Sequence, residues 1–192
     1  MKAKQWRSRR TVALARGLLG KYLVRRRADG SVEARMITEV EAYHGERDLA
    51  CHARAGRTRR TAVLYEPGGH WYVYLCYGIH DMLNLVTGPR DWPAAILVRG
   101  VEGLAGPGRL TRALGIGRGL NGAAAARPSG LWIEDRGVRV PRPLLQVTPR
   151  IGVTYAGPVW SGKPWRFAFD PARLRREQGS RARRPVRSAE RP

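Results

Sequence analysis

Trp71-Tyr72-Val73-Tyr74-Leu75-Cys76-Tyr77-Gly78-Ile79-His80-Asp81-Met82-Leu83-Asn84 decides how this chain folds. The aromatic and valine-rich run from Trp71 to Cys76 predicts a strand. Side chains alternate along a strand, so Tyr72, Tyr74 and Cys76 face one way and Trp71, Val73, Leu75 and Tyr77 the other. Tyr77-Gly78-Ile79-His80 reads as a tight turn, and Met82 to Val86 as the return strand. Tyrosines inside strands are usually core or cross-strand pairs. A tyrosine at a hairpin tip is different, because it stands proud of the sheet.

Upstream, Val32 to Tyr43 is the next strand outward. Strict alternation places Ile37, Glu39, Glu41 and Tyr43 on one face and Met36, Thr38, Val40 and Ala42 on the other. Two carboxylates and a phenol on one face are costly when buried without partners. An exposed polar face is the other reading, and the pattern alone does not choose. Downstream, Ala94 to Arg99 is a strand with Ala95, Leu97 and Arg99 on one face. Between these strands, Asp48 is placed to cap a short helix from Leu49 to Ala53 that carries His52. Arg54 to Thr61 is a basic loop, either a solvated charge run or a phosphate clamp.

The flanks add helices and further strands. Thr11 caps a helix with Val12, Leu14, Ala15, Leu18 and Leu19 as its apolar stripe, and Gly20 ends it. Lys21 to Arg26 is a strand, followed by a hairpin turn at Asp29-Gly30. Gly106-Pro107-Gly108 opens a helix that Gly115 stops. Leu131 to Glu134 and Val138 to Val140 are expected to form a hairpin around Arg136-Gly137. Ile151 to Tyr155 and Trp165 to Phe169 are expected to be the last strands. The arginine-rich stretch from Pro171 has almost no large apolar residue after Leu174, which predicts disorder. The expected organisation is one domain over residues 1–170 and a basic tail over 171–192.

The 192 residues carry a formal charge of +21, which implies phosphate-rich partners or an anionic surface. Part of the arginine content fits simple compositional drift. The two cysteines, Cys51 and Cys76, form neither a C-x-x-C pair nor a disulfide framework. With His44 and His52 nearby, their spacing matches no common zinc pattern, so no metal is expected. No apolar run is long enough to span a bilayer, and the N-terminus does not read as a signal peptide. A reduced, cytoplasmic protein is the expectation. Neither G-x-x-x-x-G-K nor G-x-G-x-x-G after a strand is present, so no nucleotide loop is expected.

Taken together, these pieces resemble the 3-methyladenine (alkyladenine) DNA glycosylase family. The resemblance rests on Ala15-Arg16-Gly17-Leu18-Leu19-Gly20-Lys21, Ile37-Thr38-Glu39-Val40-Glu41-Ala42-Tyr43, His52, and Tyr72-Val73-Tyr74-Leu75-Cys76-Tyr77-Gly78 with Asn84. Val98-Arg99, the run from Gly106 to Ile116, Pro149-Arg150-Ile151-Gly152-Val153 and Pro164-Trp165-Arg166-Phe167 follow in the family's order. The match runs from about Ala13 to Phe169. It implies a single α+β domain on a curved, mainly antiparallel sheet with flanking helices and a protruding hairpin that enters the minor groove. It implies no metal and no cofactor.

Carried over by position, Glu41 resembles the catalytic base and Arg99 its partner in holding the water. Tyr43, His52 and Tyr74 resemble the walls that stack on the extruded base, and Asn84 the gate against the exocyclic amine of guanine. Tyr77 resembles the plug of the vacated duplex, with Ile79 beside it where methionine is common. Arg57 is a candidate phosphate contact. The chain departs from the family in a short Glu102–Gly106 connection, and in Arg59 and Thr61 where proline and asparagine are usual.

The expected function is excision of alkylated or deaminated purines (the 3-methyladenine, 7-methylguanine and hypoxanthine class) from duplex DNA by a monomer. In this reading Glu41 is ionised and Arg99 holds its pKa low. Two rivals stand beside it. A basic RNA- or DNA-binding module explains the charge and tyrosines but has no use for Glu41 with Arg99. A nuclease needs clustered carboxylates for metal, and Glu39 with Glu41 is a thin set.

Overall fold

The carboxylate-bearing strand is the spine of the molecule. The computed structural model describes residues 3–182. In it, β2 (Val32–His44) joins β1 (Tyr22–Arg26), β3 (Trp71–Cys76), β4 (His80–Val86) and β5 (Ala94–Val101) in one antiparallel sheet. The main order is β3-β4-β5-β2-β1-β7, with β7 spanning Leu131–Glu134. Shorter strands complete it: β6 (Leu104–Ala105) on β5, and β8 (Gln146–Thr148) paired with β9 (Arg166–Ala168), which lies on β2. The helices are α1 (Thr11–Leu18), α2 (Pro107–Ala113), α3 (Gly157–Ser161) and α4 (Pro171–Ala182). The expected α+β architecture is what forms.

Alternation along the strands gives the sheet two different faces. Trp71 and Val73 of β3, Leu83 and Leu85 of β4 and Ile96 and Val98 of β5 join the main core. Ala15 and Leu18 of α1, Leu110 of α2 and Leu174 of α4 close over them. Each such buried side chain contributes roughly 1.5–3 kcal/mol. The alternate residues, Tyr72 and Ala95, belong to a separate cluster with Cys51, Ala53, Leu64, Tyr65 and Val86. That second face is where polar side chains collect.

A register shift breaks the alternation in β2. Ile37 packs in the main core with Val40 and Ala42, so it does not share a face with Glu39, Glu41 and Tyr43. The ladder runs Ile37↔Val101, Glu39↔Gly100, Val40↔Val98, which leaves Thr38 and then Arg99 as extra residues on their strands. Bulges of this kind re-aim a side chain. Here Arg99 is the residue set free of the pairing.

Several local expectations are corrected. Thr11 is the first residue of α1, not its cap, and its hydroxyl bonds that of Thr87 at 3.0 Å in a buried site. The helix carrying His52 is a 3-10 turn, His52–Ala55, and begins after Cys51. β7 pairs with β1, and residues 138–140 form no strand. Asp135 accepts from Gly137 N and from Lys21 Nζ at 2.8 Å, which turns the chain away before Pro141. Residues 151–155 form no strand either, because their backbone is committed elsewhere, as described below.

The short Glu102–Gly106 connection folds as a tight return: β6 pairs with β5 through Gly103. Pro171–Ala182 is helical, so the disorder expected from Pro171 is wrong over that span. Leu174, one apolar residue in a basic stretch, is buried in the core and anchors α4. Residues 183–192 lie outside the described residues.

Candidate active site

A cavity of about 620 Å³ opens on the second face of the sheet. Tyr43 comes from β2, Tyr72 and Tyr74 from β3, Asn84 from β4, and Leu97 and Arg99 from β5. His52, Arg54, Arg60, Ile151 and Tyr155 from the connecting segments close the rest. Regular alternation of the strands thus delivers the three tyrosines to one place.

Glu41 lies directly behind this wall and has no exposed side-chain surface. Its Oε1 accepts from the Ile151 backbone N–H at 2.8 Å, and Arg99 Nε stands 3.4 Å from the same oxygen. Its Oε2 accepts from the Tyr43 hydroxyl at 2.8 Å. All three partners line the cavity, although Glu41 itself does not. Glu39, the other carboxylate on this face, accepts from Arg99 Nε at 3.0 Å and Arg166 Nε at 2.6 Å.

The expectation of a low Glu41 pKa is corrected. Burial raises it above its ordinary 4.5, and the pull of Arg99, Ile151 N–H and Tyr43 offsets this only in part. Burial and the Glu41 charge together hold the Tyr43 phenol protonated, well above its ordinary pKa.

His52 and Tyr74 stand ring to ring at 4.6 Å with planes at 72°, and Tyr72 lies 5.3 Å from Tyr74. His52 Nδ1 and the Tyr72 hydroxyl are 3.0 Å apart. Burial, with the charges of Arg60 and Arg54, lowers the His52 pKa to about 4, so its ring is neutral at physiological pH. Asn84 is buried, and its Nδ2 donates to the carbonyls of Tyr72 at 3.2 Å and Met82 at 3.3 Å. That fixes the amide and leaves Oδ1 as its remaining acceptor.

The β3–β4 hairpin turns at Tyr77, Gly78 and Ile79, between the paired residues Cys76 and His80. Tyr77 is 91% exposed and Ile79 67%, and Tyr77 holds φ 49°. A left-handed tyrosine is strained, and Gly78 beside it relieves the following step. Arg57 is not brought to the cavity. It faces Asp91 at 3.3 Å and Glu66 at 3.7 Å, and lies over the Tyr65 ring. Its loop is held by Thr61, whose hydroxyl bonds Thr58 N and Gly56 O at 2.8 Å each.

One buried pair joins two residues that the sequence offered only separately, Asp48 as a helix cap and Arg150 inside a family motif. Arg150 and Asp48 form a fully buried bidentate pair at 2.6 and 2.8 Å. Arg150 also donates to Ala42 O and Trp160 O, and its guanidinium lies between the rings of Tyr43 and Trp165. Asp48 in turn accepts from the N–H groups of His44 and Ala50. The pair fixes the segment whose next N–H, that of Ile151, holds Glu41. Gly152, at φ 74°, turns the chain away immediately afterwards. This explains why residues 151–155 are not a strand: the Ile151 N–H serves a carboxylate instead of a ladder.

Such a site suits an enzyme that admits one flat group and acts on it beside an acid. Comparison with known proteins identifies the class. The family model for methylpurine-DNA glycosylase matches residues 5–105 and 101–173, its two segments meeting at the short connection after β5. A Psychrobacter cryohalolentis protein named "Putative 3-methyladenine DNA glycosylase" is 42% identical, over 85% of this chain and 88% of its own. An Anaeromyxobacter dehalogenans protein of the same name is 45% identical, over 84% and 80%. An Arabidopsis thaliana "DNA-3-methyladenine glycosylase" is 41% identical, over 81% of this chain and 66% of its own. The chain belongs to the methylpurine-DNA glycosylase family, hydrolases that act on N-glycosyl bonds.

Proposed function

We propose that this protein is a monofunctional DNA glycosylase that extrudes an alkylated or deaminated purine from duplex DNA and hydrolyses its N-glycosyl bond. The observation that carries this reading is the wiring of buried Glu41 to Tyr43, Arg99 and Ile151, all on the wall of an aromatic cavity. Extrusion costs roughly a few kcal/mol, and Tyr77 offsets it by filling the gap left in the stack. Ile79 meets the flanking duplex beside Tyr77, while Arg57, facing Asp91 and Glu66, is the weaker phosphate contact.

Inside, Tyr43, His52 and Tyr74 hold the base, each stacking contact contributing roughly 1–3 kcal/mol. A neutral His52 does not repel a cationic alkylpurine. Asn84 rejects guanine by clashing with its exocyclic amine. Substrate entry lets a water replace the Tyr43 hydroxyl as donor to Glu41 Oε2. That water adds its oxygen to C1′ and gives its proton to Glu41, while the bonding electrons leave with the base. Arg99 and Ile151 N–H keep the carboxylate in place. A 3- or 7-alkylpurine cation leaves unaided; hypoxanthine must gain a proton, so its release falls more steeply at high pH. Among the described residues no lysine lines the cavity, which supports base release without strand cutting.

The test is incubation with duplexes carrying 7-methylguanine, 3-methyladenine or hypoxanthine, with chelator and, in parallel, with added divalent metal. Release of free base with the strand intact is expected. Binding without release would favour a non-catalytic module, and metal-dependent scission a nuclease.

A further inference from the structure

The hairpin tip is not the only exposed aromatic at the cavity. Tyr155, on the segment after Gly152, also lines it and is 57% exposed. Its hydroxyl donates to Ala50 O at 3.1 Å, and the Arg54 guanidinium lies 4.9 Å from its ring centre. Arg54 is itself exposed, lines the same cavity and donates to Leu49 O at 3.1 Å. The ring is therefore held at its tip by a backbone carbonyl and on one side by a cation.

Charge distinguishes Arg54 from its neighbour in the basic loop. Arg57 faces two carboxylates. Among the described residues Arg54 faces none within ion-pair distance, so its charge stays available to an anion. Ile151, half exposed beside Tyr155, adds apolar surface. A fixed aromatic plate, an uncompensated guanidinium and an apolar neighbour suit a nucleotide unit: ring against sugar, cation against phosphate. A plate already locked in place loses little freedom on binding.

We infer that Arg54 and Tyr155 form a second DNA subsite at the cavity mouth, where they grip the phosphodiester backbone flanking the extruded nucleotide. The inference rests on the glycosylase reading, but it concerns affinity and not the chemical step. Tyr77 acts on the base stack from the hairpin. Arg54 and Tyr155 hold the strand from the opposite end of the chain's site-forming segments, the 3-10 turn at His52 and the loop after Arg150.

The test is the affinity of the full-length protein for a duplex carrying one abasic-site mimic, measured across a salt series. Neutralising one phosphate contact, Arg54→Ala should reduce the slope of log K against log salt by about 0.9. Tyr155→Ala should bind about tenfold more weakly with the slope retained, the low end of a stacking contact. Tyr155→Phe, which keeps the ring and loses the bond to Ala50, should lose less than Tyr155→Ala. An unchanged slope in Arg54→Ala, or wild-type affinity in Tyr155→Ala, would overturn the subsite. So would an affinity loss in Tyr155→Phe equal to that in Tyr155→Ala, which would make the hydroxyl a structural tie. If Tyr155→Ala does not fold, the Arg54→Ala slope alone decides. Failure of the wild type to release base would sink the glycosylase reading while leaving this binding comparison intact.

Discussion

Glu41 is the residue on which burial and charge compete. Water is excluded from it, two hydrogen-bond donors and the Arg99 charge hold it, and its pKa still rises above 4.5. The folded state therefore binds the Glu41 proton more tightly than the unfolded chain does. The stability this contributes is complete below the ordinary value and is lost as pH rises through the raised one. Glu41→Gln removes the cost of ionisation, so it should be at least as stable as wild type at pH 7, with its advantage shrinking on acidification. Thermal melts across that range measure it, and a large destabilisation at pH 7 would refute the description.

His52 is the opposite case. Its pKa is lowered to about 4, so neutral His52 contributes stability above its ordinary 6.5, and that contribution is lost as pH falls through 4. An NMR titration should place the His52 midpoint near 4; a midpoint above 6 would mean that the ring is not desolvated. Alternation grouped Glu41 with Tyr43 on one strand face, and only the family pattern joined Arg99 to them; the structure brings the three together. The Ile151 N–H was not legible, since a backbone donor has no residue type to betray it.

Among the elements, the β3–β4 hairpin was read almost residue by residue. Aromatic alternation sets its faces, and Gly78 sets its turn. Tyr77 at its tip should act only on a stacked duplex. Tyr77→Ala should weaken binding to a lesion duplex, with a smaller loss on single strands; equal losses would argue against the plug. The segment from Ile151 to Tyr155 was misread as a strand, because the anchor just before it, Arg150, depends on a partner 102 residues away. Arg150 paired with Asp48 ties β2, the loop after it and α3 to the backbone that holds Glu41. Removing one partner of a buried pair costs roughly 3–5 kcal/mol, so Asp48→Ala should lose about that much in urea unfolding. A loss under about 1 kcal/mol would show that the pair is not the clamp described. The β2 bulge was equally hidden: strict alternation predicts Ile37 on the wrong face, and only the pairing with β5 reveals the extra residues.

At the scale of the whole molecule, one sheet separates an apolar core from a polar, aromatic cavity, and the chain carries a formal charge of +21. That charge draws a polyanion to the protein but does not say where it docks. Individual strands and helices were legible from patterning, their α+β assembly from the family resemblance, and α4 from neither. Composition predicts disorder there, while a single leucine, Leu174, finds the core. The proposed function places the chemistry on one acid, Glu41, sealed behind the cavity wall. Single-turnover release of hypoxanthine from a duplex, by wild type and by Glu41→Gln at saturating protein, tests that most directly. The wild type should release the base, and the variant should bind the same duplex and release it at least ~100-fold more slowly, the scale of a general base. Near-equal rates would mean that the carboxylate behind the wall is part of the framework and that the chemistry lies elsewhere.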